Sequence, residues 1–326
     1  MTGCPTKHPA PCGQRGAVLV LVLICMLALA AFVLGALDNA FRQAREPALL
    51  TKEYRTDMLA AAGLTAAIEW LGHDDVSGAD TPLDDWASTW TGPGLTVRIT
   101  PCNARLNLNW ALMGENATIA GEEALAASAR VKRAIETLTN DAKLPDFAMD
   151  NLLDWMDADT TAERLHGGEK SAYSSTGKPY TPRNALLPRP EEMLLVRGFE
   201  NADVRWLRDN FTVWGEKDPA ININFAPASV MKAFLPELES VIPNLVAYRQ
   251  RTGILSPSDL MNDDIGLSRE EFLAIDQYVT VGSGTFQVDI EAELEGWYQH
   301  MRCIVGRTNT RVTLISADLL ENRLRD

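Results

Sequence analysis

The sequence predicts an α+β chain in which a long N-terminal helix packs on an antiparallel sheet, with a large helical domain inserted in the sheet region. Three observations carry this. Residues 17–37 hold no charge, and a helical pattern runs on beyond them. Alternation of apolar and polar residues, the mark of a strand with one buried face, occurs at 95–99 and again only towards the C-terminus, at 286–291. Between those two regions the punctuation is that of helices.

The first element is an anchor. A helix rises about 1.5 Å per residue, so residues 17–37 are long enough to cross the roughly 30 Å hydrocarbon core of a bilayer. Lys7 and Arg15 precede the span and hold that end in the cytoplasm, which sends the body across the membrane. A cleavable signal peptide has an apolar part of about 7 to 15 residues, shorter than this one. Beyond Asp38, Leu50, Tyr54, Met58, Ala61, Leu64, Ile68 and Leu71 recur every three or four residues, which predicts a stripe that packs on the sheet. Pro47 has no backbone N–H and crowds the preceding turn, so a kink or break is expected near Arg45 and Glu46.

The body divides by the same reading. A stalk helix occupies 38–72, a first β region 73–110, a helical insert 111–280 and a second β region 281–326. Within the insert, helices are expected over 121–140, 146–156, 190–196, 202–211, 227–235, 243–251 and 268–275. Pro190, Pro227, Pro243 and Pro257 suit first-turn positions, where the missing N–H costs no helical bond. In the second β region Phe286, Val288 and Ile290 share one face, followed by Met301, Cys303 and Val305.

Composition narrows the function. The chain has 326 residues, 46% hydrophobic and 23% charged, with a formal net charge of −14. Such a mean field repels a phosphate backbone, and residues 221–260, which resemble a helix-hairpin-helix, offer no basic patch; they read as a packing module with no nucleic-acid partner. Ser229 and Lys232 fit an S-x-x-K pattern, but its companion motifs are absent, and no P-loop, dinucleotide fingerprint or G-x-S-x-G occurs. Four scattered histidines build no catalytic cluster. The expectation is a protein that is not an enzyme. One group of side chains does suggest a ligand: Asp154, Asp157, Asp159, Glu163 and Glu169 gather hard oxygen donors around a helix end and a glycine-containing loop. Calcium takes six to eight oxygens from a flexible loop. A solvated acidic loop without metal is the other reading, and the spacing is not that of an EF-hand.

A basic leader ending at Gly16, an apolar helix beginning at Ala17 and an amphipathic continuation resemble the type IV pilin and pseudopilin class. That class has a glutamate at the fifth mature position, where this chain has Leu21. Three further segments resemble the K-type minor pseudopilins of type II secretion in order and spacing: Leu106-Asn107-Leu108-Asn109, Asp154-Trp155-Met156-Asp157-Ala158-Asp159 and Ile221-Asn222-Ile223-Asn224-Phe225-Ala226-Pro227-Ala228.

This resemblance implies a pseudopilin fold and structural calcium in the helical insert, although Lys170 stands where relatives often carry an acid. It also implies partnership with minor pseudopilins of the I, J and H types in the periplasmic pseudopilus, and an anchor in the bacterial inner membrane with a periplasmic body. Leu21 further suggests a place at the fibre tip. A minor pilin of a type IV pilus or DNA-uptake system is the alternative. Because the periplasm is oxidising and Cys102 and Cys303 lie in or beside strands flanking the insert, a disulfide between them is expected. Cleavage by a prepilin peptidase between Gly16 and Ala17 is implied as well. N-terminal sequencing of the membrane form reads this directly: a mature chain starting at Ala17 is expected, and one starting at Met1 contradicts the leader.

Overall fold

The computed structural model describes residues 14–74, 78–113, 121–162, 166–175, 180–309 and 311–325. The chain divides into two compact units, Met1–Asp57 and Met58–Asp326. Helix α1, Gln14–His73, begins in the first and ends in the second. Its stretch Leu19–Ala40 is long and apolar enough to cross a membrane, with its side chains exposed along the whole length. The expected break near Arg45 and Glu46 is corrected: the helix is continuous, with Pro47 inside it. Pro47 is exposed, where losing one backbone hydrogen bond costs least, and its carbonyl accepts a bond from Thr51 Oγ1 at 2.7 Å.

In the second unit, five antiparallel strands form one sheet in the order β1 (Trp90–Gly92), β2 (Leu95–Pro101), β7 (Thr285–Leu294), β8 (Trp297–Thr308), β9 (Arg311–Leu324). Strands β7 and β8 are joined by Glu295 and Gly296, both at positive φ (52° and 83°), the two-residue turn whose twist suits a hairpin. Period-2 alternation sorts the faces. Val97, Ile290 and Met301 stand in register on one side, as do Ile99, Val288 and Cys303. The next rung along, Arg98, Asp289, Arg302 and Asp318, points to the other. Arg302 Nε donates to Asp289 Oδ1 at 2.8 Å. Burial opposes ionisation of Asp289, but bonds from His300, Gln287 and Arg302 hold its carboxyl well below the usual range.

The apolar face is covered by the last turns of α1, and the stripe that covers it differs from the expected one. Ala60, Gly63, Ala67 and Leu71 are buried, with Leu64 and Ile68 half-buried, whereas Met58, Ala61 and the upstream Leu50 and Tyr54 are exposed. Small residues won this face because the helix approaches the sheet closely. A Cβ on Gly63 would lie 3.1 Å from Leu95 Cδ1 and Val97 Cγ2 and 3.2 Å from Ile290 Cγ2. Hydropathy ranks large side chains first, and here size decided.

Among the described residues, seven α-helices lie between β2 and β7: α2 (Glu122–Asp141), α3 (Ala148–Met156), α4 (Lys170–Ser175), α5 (Val204–Asn210), α6 (Ala228–Phe234), α7 (Ile242–Arg251) and α8 (Arg269–Ile275). The stretch Pro190–Leu195, expected as a helix, is a 3-10 turn, and α4 carried no helical signal in the sequence. These helices share a core of their own, built from residues such as Ile135, Leu152, Phe199, Val230, Phe234 and Leu245. Two short parallel pairs thread it, β3 (Leu106–Asn107) with β4 (Phe211–Thr212) and β5 (Ile221–Asn222) with β6 (Val279–Thr280).

The repeated Leu-Asn and Ile-Asn pairs explain how such irregular backbone is buried. Asn109 exchanges two bonds with the backbone of Leu187, at 3.1 and 2.9 Å. Asn224 does the same with Ile254, at 2.8 and 2.9 Å, and donates to Asp80 O at 2.9 Å. Each amide supplies a donor and an acceptor to peptide groups that helix and sheet leave over. Alternating leucines and isoleucines anchor them in the core.

The expected disulfide is corrected by strand order. Cys102 follows β2 directly and Cys303 lies in β8, with β7 between those strands. Two strand spacings make about 9.6 Å, beyond the roughly 7 Å limit between the Cα atoms of a disulfide. The bond is therefore absent: both cysteines are free and buried. Burial pushes the Cys102 thiol up to about 12 and that of Cys303 up to about 11.

Near the end of β8, Arg307 ties the sheet to the segment after α1. It is almost wholly buried, and its guanidinium donates to Asp74 Oδ2 at 2.6 Å, to Asp80 Oδ1 and to Ser283 O at 3.0 Å, with the Phe286 ring centroid 4.7 Å away. Asp84, whose carboxylate lies within 4.8 Å of those of Asp74 and Asp80, is bonded to Thr81 N and Oγ1. Burial raises Asp80 to about 6, the bond and charge of Arg307 offsetting only part of that. Its folded pKa therefore exceeds the unfolded value near 3.8, the fold binds the extra proton between them, and this contribution to stability falls as pH rises from about 4 to about 6. Across that window the denaturation midpoint should rise more, or fall less, with pH in Asp80→Asn than in the native chain; an unchanged slope would contradict the assignment.

Candidate metal centre

The acidic residues singled out in the sequence occupy the end of α3 and the loop leading to α4. Helix α3 is buried along nearly its whole length, so its last turn is fixed by the core of the insert. Trp155 is the main anchor. Its Nε1 donates to Glu192 Oε1 at 3.0 Å, its carbonyl accepts from Asn184 N at 2.9 Å, and its ring meets Tyr173 at 5.3 Å and Tyr180 at 6.0 Å. Asn184 takes a left-handed φ of 51° there, and its side-chain amide donates to Asp159 O. The loop is thereby held from both sides.

Asp157, Asp159 and Glu169 each bring a carboxylate oxygen within 4.8 Å of the other two. Asp157 caps the end of α3, and Asp159 Oδ1 accepts from Thr161 N at 2.7 Å. Glu169 stands immediately before α4; it is buried, and its Oε1 has no hydrogen-bond partner among the described residues. Burial comes first in raising its pKa, followed by the charges of Asp157, Asp154 and Asp159. Three like charges converge, and one buried oxygen lacks a donor. A bound cation relieves both conditions, and the donors are the hard oxygens that calcium prefers.

Asp154 is fully buried one turn earlier and belongs to the wall of the site, outside the close trio. Gly167 makes this packing possible: a Cβ there would come 1.8 Å from Asp154 Oδ2. Gly168 packs similarly against Asn151, whose amide donates to Phe147 O at 2.7 Å and His166 O at 3.0 Å. Asn151 was missed in the sequence, although its spacing three residues before Asp154 on one helix face was available. Glu163 lies outside the described residues, and Gly16 and Ala17 are described only as helical backbone within α1. Lys170 opens α4 directly after Glu169.

The serine–lysine pattern forms no pair. Ser229 Oγ donates to Asn210 Oδ1 at 2.6 Å, while Lys232 Nζ reaches Glu239 at 2.9 Å. In the hairpin-like segment, Arg249 donates to the carbonyls of Ile223 and Ala226 at 2.7 and 2.9 Å, which makes it a packing residue.

The chain combines an apolar N-terminal helix with an antiparallel sheet into which a helical domain carrying an acidic loop is inserted after the second strand, the parts expected of a pseudopilin fold. Residues 104–216 match the family described as Type II secretion system (T2SS), protein K. Type II secretion system protein K of Pseudomonas aeruginosa is 24% identical over 260 residues, 76% of each chain. The crystal structure of the GspK-GspI-GspJ complex from the enterotoxigenic Escherichia coli type 2 secretion system contains a similar fold: TM-score 0.60, 16% identity, covering 87% of this chain and 99% of that one.

Proposed function

We propose that this chain is a minor pseudopilin of type II secretion, a non-enzymatic subunit that initiates or caps the periplasmic pseudopilus. The observation that carries the reading is the pairing of a membrane-length helix with the K-type insert in one chain. The solved relative is named as part of a complex with GspI and GspJ, and partners of those two types, with the H type, are proposed here. In this reading the anchor lies in the inner membrane, the body is periplasmic, and a prepilin peptidase removes residues 1–16.

Leu21 supports a place at the tip. An uncompensated charge in an apolar helix bundle costs several kcal/mol, so a fifth-position carboxylate answers the N-terminal amine of a neighbour already in place. A subunit lacking it is tolerated where no earlier subunit presents an amine. The bulk of the insert, which would obstruct a subunit stacked above, supports the same position.

Asp157, Asp159 and Glu169 are proposed as calcium ligands, with Asp154 in the wall and Glu163 as a further candidate. Calcium here would fix the loop between α3 and α4; it has no part in chemistry.

Two measurements test these readings. Affinity isolation of the full chain from detergent-solubilised membranes should bring down the I-type and J-type minor pseudopilins, and co-isolation only with type IV pilus subunits would sink the secretion assignment. For the metal, calcium at 100 times its dissociation constant stabilises a one-site protein by about 2.7 kcal/mol. The melting temperature should therefore rise with calcium and fall with chelator, and Asp157→Ala or Asp159→Ala should abolish the difference. Identical melting in calcium and chelator would reject the site.

A further inference from the structure

The polar face of the sheet is not covered flush by the insert. A cleft of about 630 Å³ separates the rung of Arg98, Asp289 and Arg302 from the flank of α5 that carries Arg205, Arg208 and Asp209. Arg105 and Asp209 also line a neighbouring chamber of about 730 Å³, whose wall includes Leu138, Trp206, Phe225 and Pro227. The two chambers share Thr100, Arg105, Asp203, Arg205 and Asp209, and the second adds this apolar wall together with Asp141.

Five arginines and three aspartates line the first chamber. Arg302 is committed to Asp289 at 2.8 Å and Arg208 to Glu191 at 2.7 Å. What remains is Arg98, Arg105 and Arg205 against Asp203 and Asp209, 3 − 2 = +1, inside a chain of net charge −14. Asp203 is occupied in capping α5, its Oδ1 accepting from Arg205 N at 2.7 Å. Among the described residues none of those three guanidinium groups meets a carboxylate. Arg98 reaches Thr89 Oγ1 at 3.4 Å, and Arg105 donates to Gln287 Oε1 at 2.8 Å. Arg105 is half-buried, and a guanidinium taken out of water with one neutral acceptor is poorly compensated. Burial lowers its pKa accordingly. Guanidinium forks match a carboxylate with two parallel bonds, and the adjacent rings offer an apolar seat.

We propose that this cleft binds a carboxylate-bearing protein segment, with an acidic side chain held by Arg98, Arg105 and Arg205 and a neighbouring apolar side chain resting on Trp206 and Phe225. The inference stands on the cleft and is independent of the assembly and the calcium site proposed above.

The test is fluorescence anisotropy with the full chain in nonionic-detergent micelles and a fluorescein-labelled pentapeptide of four glutamates around a central leucine. Binding should saturate, weaken with added salt, and weaken at least tenfold in Arg105→Gln and in Arg205→Gln. Arg251→Gln, at an exposed position outside the cleft, should leave it unchanged. The peptide with glutamine in place of glutamate should not bind. Arg205 is exposed, so its variant keeps the test valid even where Arg105→Gln fails to fold. No saturation up to millimolar peptide, equal affinity for the glutamine peptide, or indifference to Arg205→Gln would overturn the proposal. Displacement of the peptide by an equal concentration of succinate would overturn the segment in favour of a small dicarboxylate.

Discussion

Everything in the second unit depends on one ladder, the pairing of β2 with β7 from Leu95 with Ala292 to Pro101 with Phe286. It joins two stretches separated by the entire helical insert. Loop closure grows only slowly with length, by about 0.6 kcal/mol for each doubling, so a long excursion is tolerated if its two ends return to one place. They do. Asn103, just after β2, donates to Gly282 O at 3.0 Å and accepts from Ser283 Oγ at 2.8 Å. Because the ends are pinned, the insert builds a core of its own, and the sheet keeps a second core beneath α1. The two cores meet where Phe225 of the insert stacks on Trp86 at 5.4 Å.

That ladder was legible in the sequence because period-2 alternation is a local signal, and so were most helices, bounded as they are by prolines and caps. What escaped depended on partners far along the chain. The buried stripe of α1 was misplaced because Gly63 and Ala67 look weak on a hydropathy scale, while their use is to let a backbone approach Leu95 and Val97. Cys102 and Cys303 suggested a bond because both flank the insert, but strand order put β7 between them. The asparagines of the Leu-Asn and Ile-Asn pairs were recognised as a pattern. Their role as paired donors and acceptors for Leu187 and Ile254 needed coordinates.

The acidic site shows the same division. Asp157, Asp159 and Glu169 were chosen for chemistry alone, and the fold draws them together by fixing Trp155 at one end of the loop and α4 at the other. Asp154 was grouped with them by proximity in sequence, yet it stands a turn away under Gly167. The arginines of the polar cleft gave no signal, since Arg98, Arg105, Arg205 and Arg302 come from four separate segments and meet only when the sheet and α5 are in place. Charge of each sign is thus sorted locally within a chain whose average is strongly negative.

The close seat of Gly63 has a mechanical meaning. Side chains of Leu95, Val97 and Ile290 form a shallow socket that admits a backbone without a Cβ, and Leu59 and Leu64 flank it on the helix. Sliding the helix along its axis would bring a residue with a Cβ to that socket, where Gly63 leaves only 3.1–3.2 Å, so the contact resists shear. The last turns of α1 are thus keyed to the sheet by shape as well as by apolar contact.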